Sequence, residues 1–594
     1  MNLNTLSGRN EIAGTFGVVA SSHWIASQAG MAMLERGGNA FDAVVAAGFV
    51  MQVAEPHQNG LGGDAVMLIR TTGDAVPRVV CGQGVVPAAA TIDRYGSLGL
   101  KLIPAKGLLA AVVPGAFDAW MLILRDYGTR PIEEVLSFAI GYASNGIPLT
   151  REASREIAKS KAKFTEEWTS SGAIYLSKGE VPAAGSLIRN EALAQTYARL
   201  LEAALRAGND RCEQIEAARH AFYRGYVADE IGQFFARPDD AAGHTMSSPG
   251  FLTAQDLFDW SATFEQPVSY VFEGVEVFKP GGWSQGPAFL QFLALFKHLD
   301  YRGLDPFGAE LVHIMVEALK LAYADREAWY GEAREGYAPP IPELLSERYN
   351  ADRARLIIGD CSRALRPGSP CGYLPCMPEV RENVSGGASA EVVASDYSSR
   401  AKGDTCHIDV IDRWGNMVAA TPSGGWLHGS PAIPALGFSI STRAQMAWLQ
   451  PGLPSSLKPK TRPRTSLSPT MAIDRSDASL AFGSRGGDYQ DQWALQFFLR
   501  HMSFGFDLQQ AADAPMFHSD HWARSDYPRD ACPAKLTMDE RFAENVVSEL
   551  KARGHDVYIY PGRRWGRNCA ARKDGVLLRA AASASVPQAL AVGR

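Results

Sequence analysis

The chain has no excess of charge of either sign. Lys and Arg number 58 against 64 Asp and Glu, giving a formal net charge of −6, with no long run of one sign. Nucleic acids and anionic membranes select basic patches, so neither is an expected partner. Cysteine is scarce, and Cys81, Cys212, Cys361, Cys371, Cys376, Cys406, Cys532 and Cys569 show no disulfide-framework spacing. Cys361, Cys371 and Cys376 lie close together in sequence and could form a redox or metal patch. Free thiols in an irregular segment are the plainer reading. The histidines are scattered, with no His-Glu-x-x-His and no paired Cys-x-x-Cys, so no metal site is expected. Long apolar runs are also missing. The longest, Phe41 to Ala54, contains Asp42 and Gln52 and is too short to cross a bilayer. Met1-Asn2-Leu3-Asn4-Thr5 lacks a basic region followed by an apolar one, so no signal peptide is expected and the chain reads as cytoplasmic.

What is present is ordinary globular material: 46% apolar and 21% charged residues over 594 positions. That length suggests roughly two to four structural units or one large layered fold. Ile25, Ala29, Met33 and Leu34 recur at helix spacing and stop at Gly37-Gly38-Asn39. A second helix, Ala40 to Val53, is apolar on most faces and reads as buried. Further helices are expected at Ala116 to Asp126, Ala192 to Ala207, Leu311 to Trp329 and Tyr489 to Met502. Strands are expected at Ala65 to Arg70, Val79 to Cys81, Ala110 to Val113, and Val268 to Val277 around a Phe272-Glu273-Gly274 turn.

The loop Glu55-Pro56-His57-Gln58-Asn59-Gly60-Leu61-Gly62-Gly63-Asp64 is rich in turn-formers. It matches neither Gly-x-Gly-x-x-Gly nor Gly-Lys-Ser/Thr, so it reads as a backbone-packing loop and no nucleotide or other cofactor is expected. From Cys361 to Lys402, Pro, Gly, Ser and isolated charges dominate, which marks a loop or connector. It ends at Gly403-Asp404-Thr405. Beyond it the pattern turns β-like. Cys406, Ile408 and Val410 alternate with His407 and Asp409, Trp414-Gly415-Asn416 reads as a hairpin turn, and Met417 to Thr421 as the return strand. Phe438 to Ser441, Met471 to Ile473 and Leu480 to Phe482 read as further strands. Strands flanked by long helices imply helices packed outside stacked sheets.

A threonine hydroxyl is a poor nucleophile unless a base lies beside it, and an N-terminal threonine supplies that base with its own amino group. Thr405 would gain this chemistry if the chain were cut before it, at the junction of connector and strand. Ser423, after the return strand, could approach it. Gly486-Gly487 could offer consecutive N–H groups to an oxyanion, and Thr465-Ser466 lie on a cation-rich loop. Each also has a plainer reading, as turn residues, a helix-start glycine pair and a solvated loop.

Together these residues resemble the γ-glutamyltransferase (glutathione hydrolase) proenzyme family of the N-terminal nucleophile hydrolases. The marks are Gly37-Gly38-Asn39-Ala40-x-Asp42-Ala43, Glu55-Pro56 through Gly62-Gly63, Val113-Pro114-Gly115, and Glu317-Ala318 through Asp325-Arg326. They continue with Gly403-Asp404-Thr405, Gly415-Asn416, Arg462-Pro463, Ser468-Pro469-Thr470, Gly486-Gly487 and Ala514-Pro515-x-Phe517. The resemblance implies an α/β (α+β) four-layer αββα sandwich with mostly antiparallel central sheets. It implies self-cleavage into a large subunit, 1–404, and a small one, 405–594, with 1–360 folded and 361–404 a connector. It implies Thr405 as nucleophile and α-amino base, Ser423 assisting, Gly486 and Gly487 as the oxyanion hole, and Thr465 and Ser466 at the substrate. The expected partners are a small-molecule amide and the two fragments of the same chain, and the processed unit could pair as a homodimer.

The departures from the pattern bear on the substrate. Gln83, or its neighbour Gly84, stands where the family has the arginine that holds the α-carboxylate, and Gly425 stands where it has an asparagine. Ser441 to Met446 lacks the family's carboxylate for the substrate amino group, and the segment over the pocket is shortened to Pro451-Gly452-Leu453-Pro454. This resembles the branch of glutathione hydrolase-like proteins, cephalosporin acylases and oxamate amidohydrolase. Gln83 and Arg443 remain candidate substrate contacts, and Arg462, Arg464 or Arg485 could supply another cation. The leading expectation is an autoprocessing amidohydrolase or acyltransferase. True γ-glutamyl transfer or glutathione hydrolysis, and an uncut binding homologue without catalysis, stay open.

Overall fold

The computed structural model describes residues 8–236, 249–382, 405–562 and 566–594. Two seven-stranded sheets lie at its centre. The first runs Leu590–Gly593, Gly17–Ser21, Ile408–Asp412, Met417–Ser423, Asp64–Arg70, Arg78–Gly82, Thr263–Glu265. The second runs Ile12–Gly14, Leu577–Ala582, Asn568–Asp574, Ser479–Ser484, Thr470–Asp474, Val275–Lys279, Val268–Phe272. Every pairing in both is antiparallel.

Period-two alternation sorts each strand's side chains between layers. Val18, Ala20, Ile411, Met417 and Ala419 of the first sheet meet Phe278, Met471, Ala481 and Ala571 of the second in one apolar layer. The opposite face of the first sheet (Val19, Ile408, Val410, Val418) packs on the helices Trp24–Glu35, Ala40–Ala54 and Ala116–Tyr127. Ala472, Leu480 and Phe482 of the second pack on Gly286–Phe296, Ala309–Trp329 and Tyr489–Met502. The result is the αββα sandwich. The helix Ala40–Ala54 is buried at every position. Its start is fixed by a capping box in which Asn39 Oδ1 accepts from Asp42 N and Asn39 N donates to Asp42 Oδ2, at 2.9 Å. No described helix is long and apolar enough to cross a membrane.

Two expected strands do not form. Leu108–Ala110 is a 3-10 turn, after which Val112 N donates to Ser441 O and Val113 N to Val85 O. Phe438 to Ser441 makes only isolated bridges, Ile433 with Phe438 and Gly62 with Ile440. In both places successive backbone groups pair with different segments, so no ladder develops. The polar side of Ile408–Asp412 also differs from an ordinary alternating strand, because both faces are buried. His407 lies on the inter-sheet face, where a Cβ on Gly483 would come within 2.3 Å of its ring. Its Nδ1 pairs with Thr421 Oγ1 and its Nε2 with Asp409 Oδ1, both at 3.0 Å. Residues 361–382 contain one 3-10 turn, Pro370–Gly372, and are tied down by Gly368 N to Asp325 Oδ1 at 2.6 Å and by a Glu382–Ala531 bridge. The remainder of the connector, 383–404, lies outside the described residues.

Lys279, fully buried at the end of its strand, donates to Asp491 Oδ1 at 2.6 Å and to Ser468 Oγ and Thr470 Oγ1 at 2.8 Å. It thereby fastens the helix Tyr489–Met502 to the second sheet. Removing one partner of a buried pair strands the other, so Lys279→Met is expected to cost about 3–5 kcal/mol, read from urea unfolding midpoints. Burial pushes the Asp409 carboxyl from 3.8 up to about 6, against the pull of His407. Its protonated form therefore stabilises the fold fully below the unfolded value, and that contribution is lost as pH rises to about 6. Wild type should lose stability relative to Asp409→Asn as pH rises across this window, and the difference should be flat above it, measured by urea midpoints at stepped pH.

Candidate active site

Thr405 opens the strand that runs into Ile408–Asp412, and it forms an antiparallel bridge with Ser423. Cys406 N donates to Pro422 O at 2.9 Å, fixing the register. Thr405 Oγ1 donates to Ser423 Oγ at 3.4 Å and accepts from Gln490 Nε2 at 3.3 Å. Thr405 and Ser423 are 2% and 0% exposed, so the hydroxyl lies in a dry setting where each such contact counts. Gly403 and Asp404, ahead of the expected break, lie outside the described residues.

The glycine pair is shaped by backbone need. Gly486 and Gly487 have φ of 128° and 56°, a region that side chains disfavour. Buried charges hold the turn on both sides. Before it, Arg485 Nη2 pairs with Glu152 Oε2 at 2.8 Å, and Nη1 lies 3.6 Å from Glu55 Oε1. Glu55 also accepts from Ser22 Oγ at 2.8 Å and Cys406 Sγ at 3.2 Å, reaching the residue next to Thr405. After it, Asp488 accepts from Arg326 Nη1 and from Ser525 N and Oγ, each at 2.6 Å. Burial opposes the Asp488 charge, but Arg326 and the Ser525 bonds outweigh it and hold the carboxyl below its ordinary range.

The remaining sequence-named residues fall on one closed circuit of contacts. Ser423 is in register with Asp64, whose Oδ2 accepts from Arg443 Nε at 3.1 Å and Ser441 Oγ at 2.8 Å. Asp64 Oδ1 receives Gly84 N at 3.4 Å, and the adjoining Gln83 side chain donates to Pro463 O. Two residues on, Thr465 O accepts from Gln285 N at 2.9 Å, with Ser466 beside it. Gln285 Nε2 donates to Gly487 O at 3.4 Å, Gln490 N to Gly487 O at 3.2 Å, and Gln490 returns to Thr405. The glycine-rich loop makes this closure possible. A Cβ on Gly60 would lie 2.6 Å from Gly425 O, and one on Gly63 2.4 Å from Ser423 O. A small pocket lined by Val86, Glu332, Ala447, Pro454, Lys458 and Arg464 borders the circuit at Pro463.

Sequence reasoning did not assign Gln285, Asp64 or Gln490 to the site. The Gly486-Gly487-Asp488-x-Gln490 pattern was the available signal for Gln490. Asp64 and Gln285 carry none, because their partners are hundreds of positions away. The candidate cations prove committed: Arg443 to Asp64, Arg462 to Glu332 and Glu265, Arg464 to Glu327, and Arg485 to Glu152. On the circuit, Arg443 Nη2, Gln83 Oε1 and Gln490 Oε1 are buried without a hydrogen-bond partner among the described residues.

Among the described residues, Glu317, Cys361 and His555 come close enough together to hold a metal ion. The Lys320 ammonium already lies there, 2.6 Å from Glu317 Oε1 and 3.0 Å from Cys361 Sγ. Cys371 and Cys376 are exposed, and all eight cysteines are free. Because Asp488 anchors the glycine turn to Arg326, Asp488→Asn should lower kcat about tenfold or more while KM changes less, with secondary structure unchanged by circular dichroism.

Comparison with known proteins identifies the family. The family model described as Gamma-glutamyltranspeptidase matches residues 26–589. A solved protein named LmbA2991HD is 46% identical, covers 99% of this chain and 100% of its own, and superposes with a TM-score of 0.92. The glutathione hydrolase-like YwrD proenzyme of Bacillus subtilis is 27% identical over 92% of both chains. The acylase ACY 1 proenzyme of a Pseudomonas species is 28% identical over 96% of this chain and 92% of its own. With the family model spanning almost the whole length and the fold shared end to end, the chain belongs to the gamma-glutamyltranspeptidase family.

Proposed function

We propose that Thr405 is the nucleophile of an autoprocessed amidohydrolase, cut between residues 404 and 405 into fragments 1–404 and 405–594. The chain is an enzyme of its family's hydrolase and acyltransferase kind. The observation that carries the assignment is the buried Thr405 hydroxyl held by Ser423 and Gln490, with the glycine turn joined to the same contacts. Thr405 Oγ1 attacks the amide carbonyl, and its freed amino group takes the hydroxyl proton and passes it to the leaving amine. Ser423 orients the hydroxyl. The N–H groups of Gly486 and Gly487 stabilise the oxyanion, a contribution worth about 3–4 kcal/mol per donor in comparable sites. Water or an amine resolves the acyl-enzyme.

Gln83, Arg443, Thr465 and Ser466 surround the acyl group. Asp64 already neutralises Arg443, with burial pushing the Asp64 carboxyl up against the arginine's pull. A γ-glutamyl zwitterion would meet neither a free cation nor a free carboxylate at this corner. The orphaned Arg443 Nη2 donor suits a neutral or singly charged acyl group instead. Of the activities those relatives are named for, acylase chemistry fits this pocket better than glutathione hydrolysis.

The fragments stay together because both sheets interleave them. Ile408–Asp412 sits between Gly17–Ser21 and Met417–Ser423, which in turn pairs with Asp64–Arg70. The free cysteines fit a reducing compartment such as the cytoplasm.

Intact-mass measurement should give two fragments joined at 404/405 that co-elute under native conditions, and an uncut Thr405→Ala. A panel of small amides should be turned over while a γ-glutamyl anilide is not. A wild-type chain that remains uncut, with activity unchanged in Thr405→Ala, would sink the reading.

A further inference from the structure

Gln490 is the second residue of the helix Tyr489–Met502 and is 1% exposed. Its position is fixed twice, by its N–H on Gly487 O at 3.2 Å and by the Lys279–Asp491 pair next to it. Its amide nitrogen reaches Thr405 Oγ1 at 3.3 Å, yet its amide oxygen has no hydrogen-bond partner among the described residues. A buried acceptor left so costs about 1–3 kcal/mol, which calls for a donor that no described residue of the uncut chain supplies.

Cutting the chain creates that donor. On the reading given above, Thr405 Oγ1 bonds to the carbonyl carbon of residue 404 as the C–N bond breaks, and the hydroxyl proton passes to nitrogen. Water then hydrolyses the ester, leaving a carboxylic acid on residue 404 and restoring the threonine hydroxyl. The Thr405 nitrogen goes from one hydrogen to two or three, on an atom only three covalent bonds from Oγ1. The terminal amide torsion of Gln490 is soft, so its oxygen can turn toward them.

We propose that Gln490 is a further catalytic residue, its carbamoyl oxygen taking up a hydrogen of the amino group freed at Thr405 while its NH₂ stays on the hydroxyl. One side chain then grips both ends of the base–nucleophile pair. The neutrality of the amide matters. A carboxylate here would favour the ammonium form and remove the base, whereas an amide orients the amine without holding its proton.

The charged and titratable groups around the amine are already engaged. Asp64 holds Arg443 beside Ser423, and Arg485 joins Glu55 and Glu152 before the glycine turn. Arg326 holds Asp488 after it, Lys279 holds Asp491 beside Gln490, His407 holds Asp409 along the strand, and Cys406 bonds Glu55. Residue 490 is thus the place where a new charge would act on the amine directly.

The proposal rests on the cut before Thr405, so wild type, Gln490→Glu and Gln490→Met are first compared by intact mass and thermal melting. All three are expected to be cut. For the isosteric Gln490→Glu, the acid limb of the kcat/KM pH profile should move to higher pH by about one unit. For Gln490→Met, kcat should fall about tenfold with KM little changed. Cut, folded variants that keep the wild-type kcat and acid limb would overturn the proposal while leaving the nucleophile assignment intact. So would a variant that melts like wild type yet stays uncut, because the amide oxygen gains its donor only after the cut. If Gln490→Met loses its fold, the Gln490→Glu profile decides. An uncut wild type instead removes the nucleophile reading itself.

Discussion

The strand that carries Thr405 has no solvent face, and most of the structure around it follows from that constraint. A strand in the middle of a sandwich must place both rows of side chains against other layers. Cys406, Ile408 and Val410 do so against helices, while His407 and Asp409 turn toward the second sheet. Polar groups in such a place have to be paired within the protein. His407 therefore bonds Thr421 and Asp409, and Gly483 opposite lacks the side chain that would strike the imidazole. The sandwich builds a dry interior and then satisfies its polar residues one pair at a time.

The rule has exceptions among the described residues, and three of them lie at the candidate site. Arg443, Gln83 and Gln490 lie on the circuit around Thr405, and each retains a buried donor or acceptor without a partner among the described residues. Each carboxylate behind them holds a partner: Asp488 has Arg326 and Ser525, Asp64 has Arg443 and Ser441, and Asp491 Oδ1 has Lys279. Charge pairs tie the wall together, and amide and guanidinium atoms without a partner among the described residues lie on the same circuit. A rigid frame with a few unspent hydrogen bonds is what selective stabilisation of a transition state requires.

On the proposed function, this layout separates catalysis from substrate choice. Thr405, the proposed nucleophile, the glycine turn and their charge anchors depend on backbone geometry and buried pairs. Small departures at Gln83, Gly425 and Arg443 leave those elements untouched. Asp64 and Arg443 satisfy each other, which on the proposed function withdraws both charges from a substrate.

By itself the sequence pointed to the layers and to Thr405 as the candidate reacting group. Helix periodicity in Ala40 to Val53, alternation after Thr405 and the glycine hairpin at Gly415 are local signals, and they survive in the structure because local propensity and burial agree there. The motif series around Thr405, Ser423, Gly486-Gly487 and Thr465-Ser466 named the residues that the fold brings together. It could not show that Phe438 to Ser441 and Ala110 to Val113 fail as strands, because their hydrogen bonds go to separate segments chosen by tertiary packing. Nor could it reveal that Arg443 belongs to Asp64, 379 positions away, or that Gln285 joins Thr465 to Gly487. A side chain's chemistry is written in the sequence, whereas its partner is set by which layers meet, and in a buried site the partner decides which charges remain for a substrate.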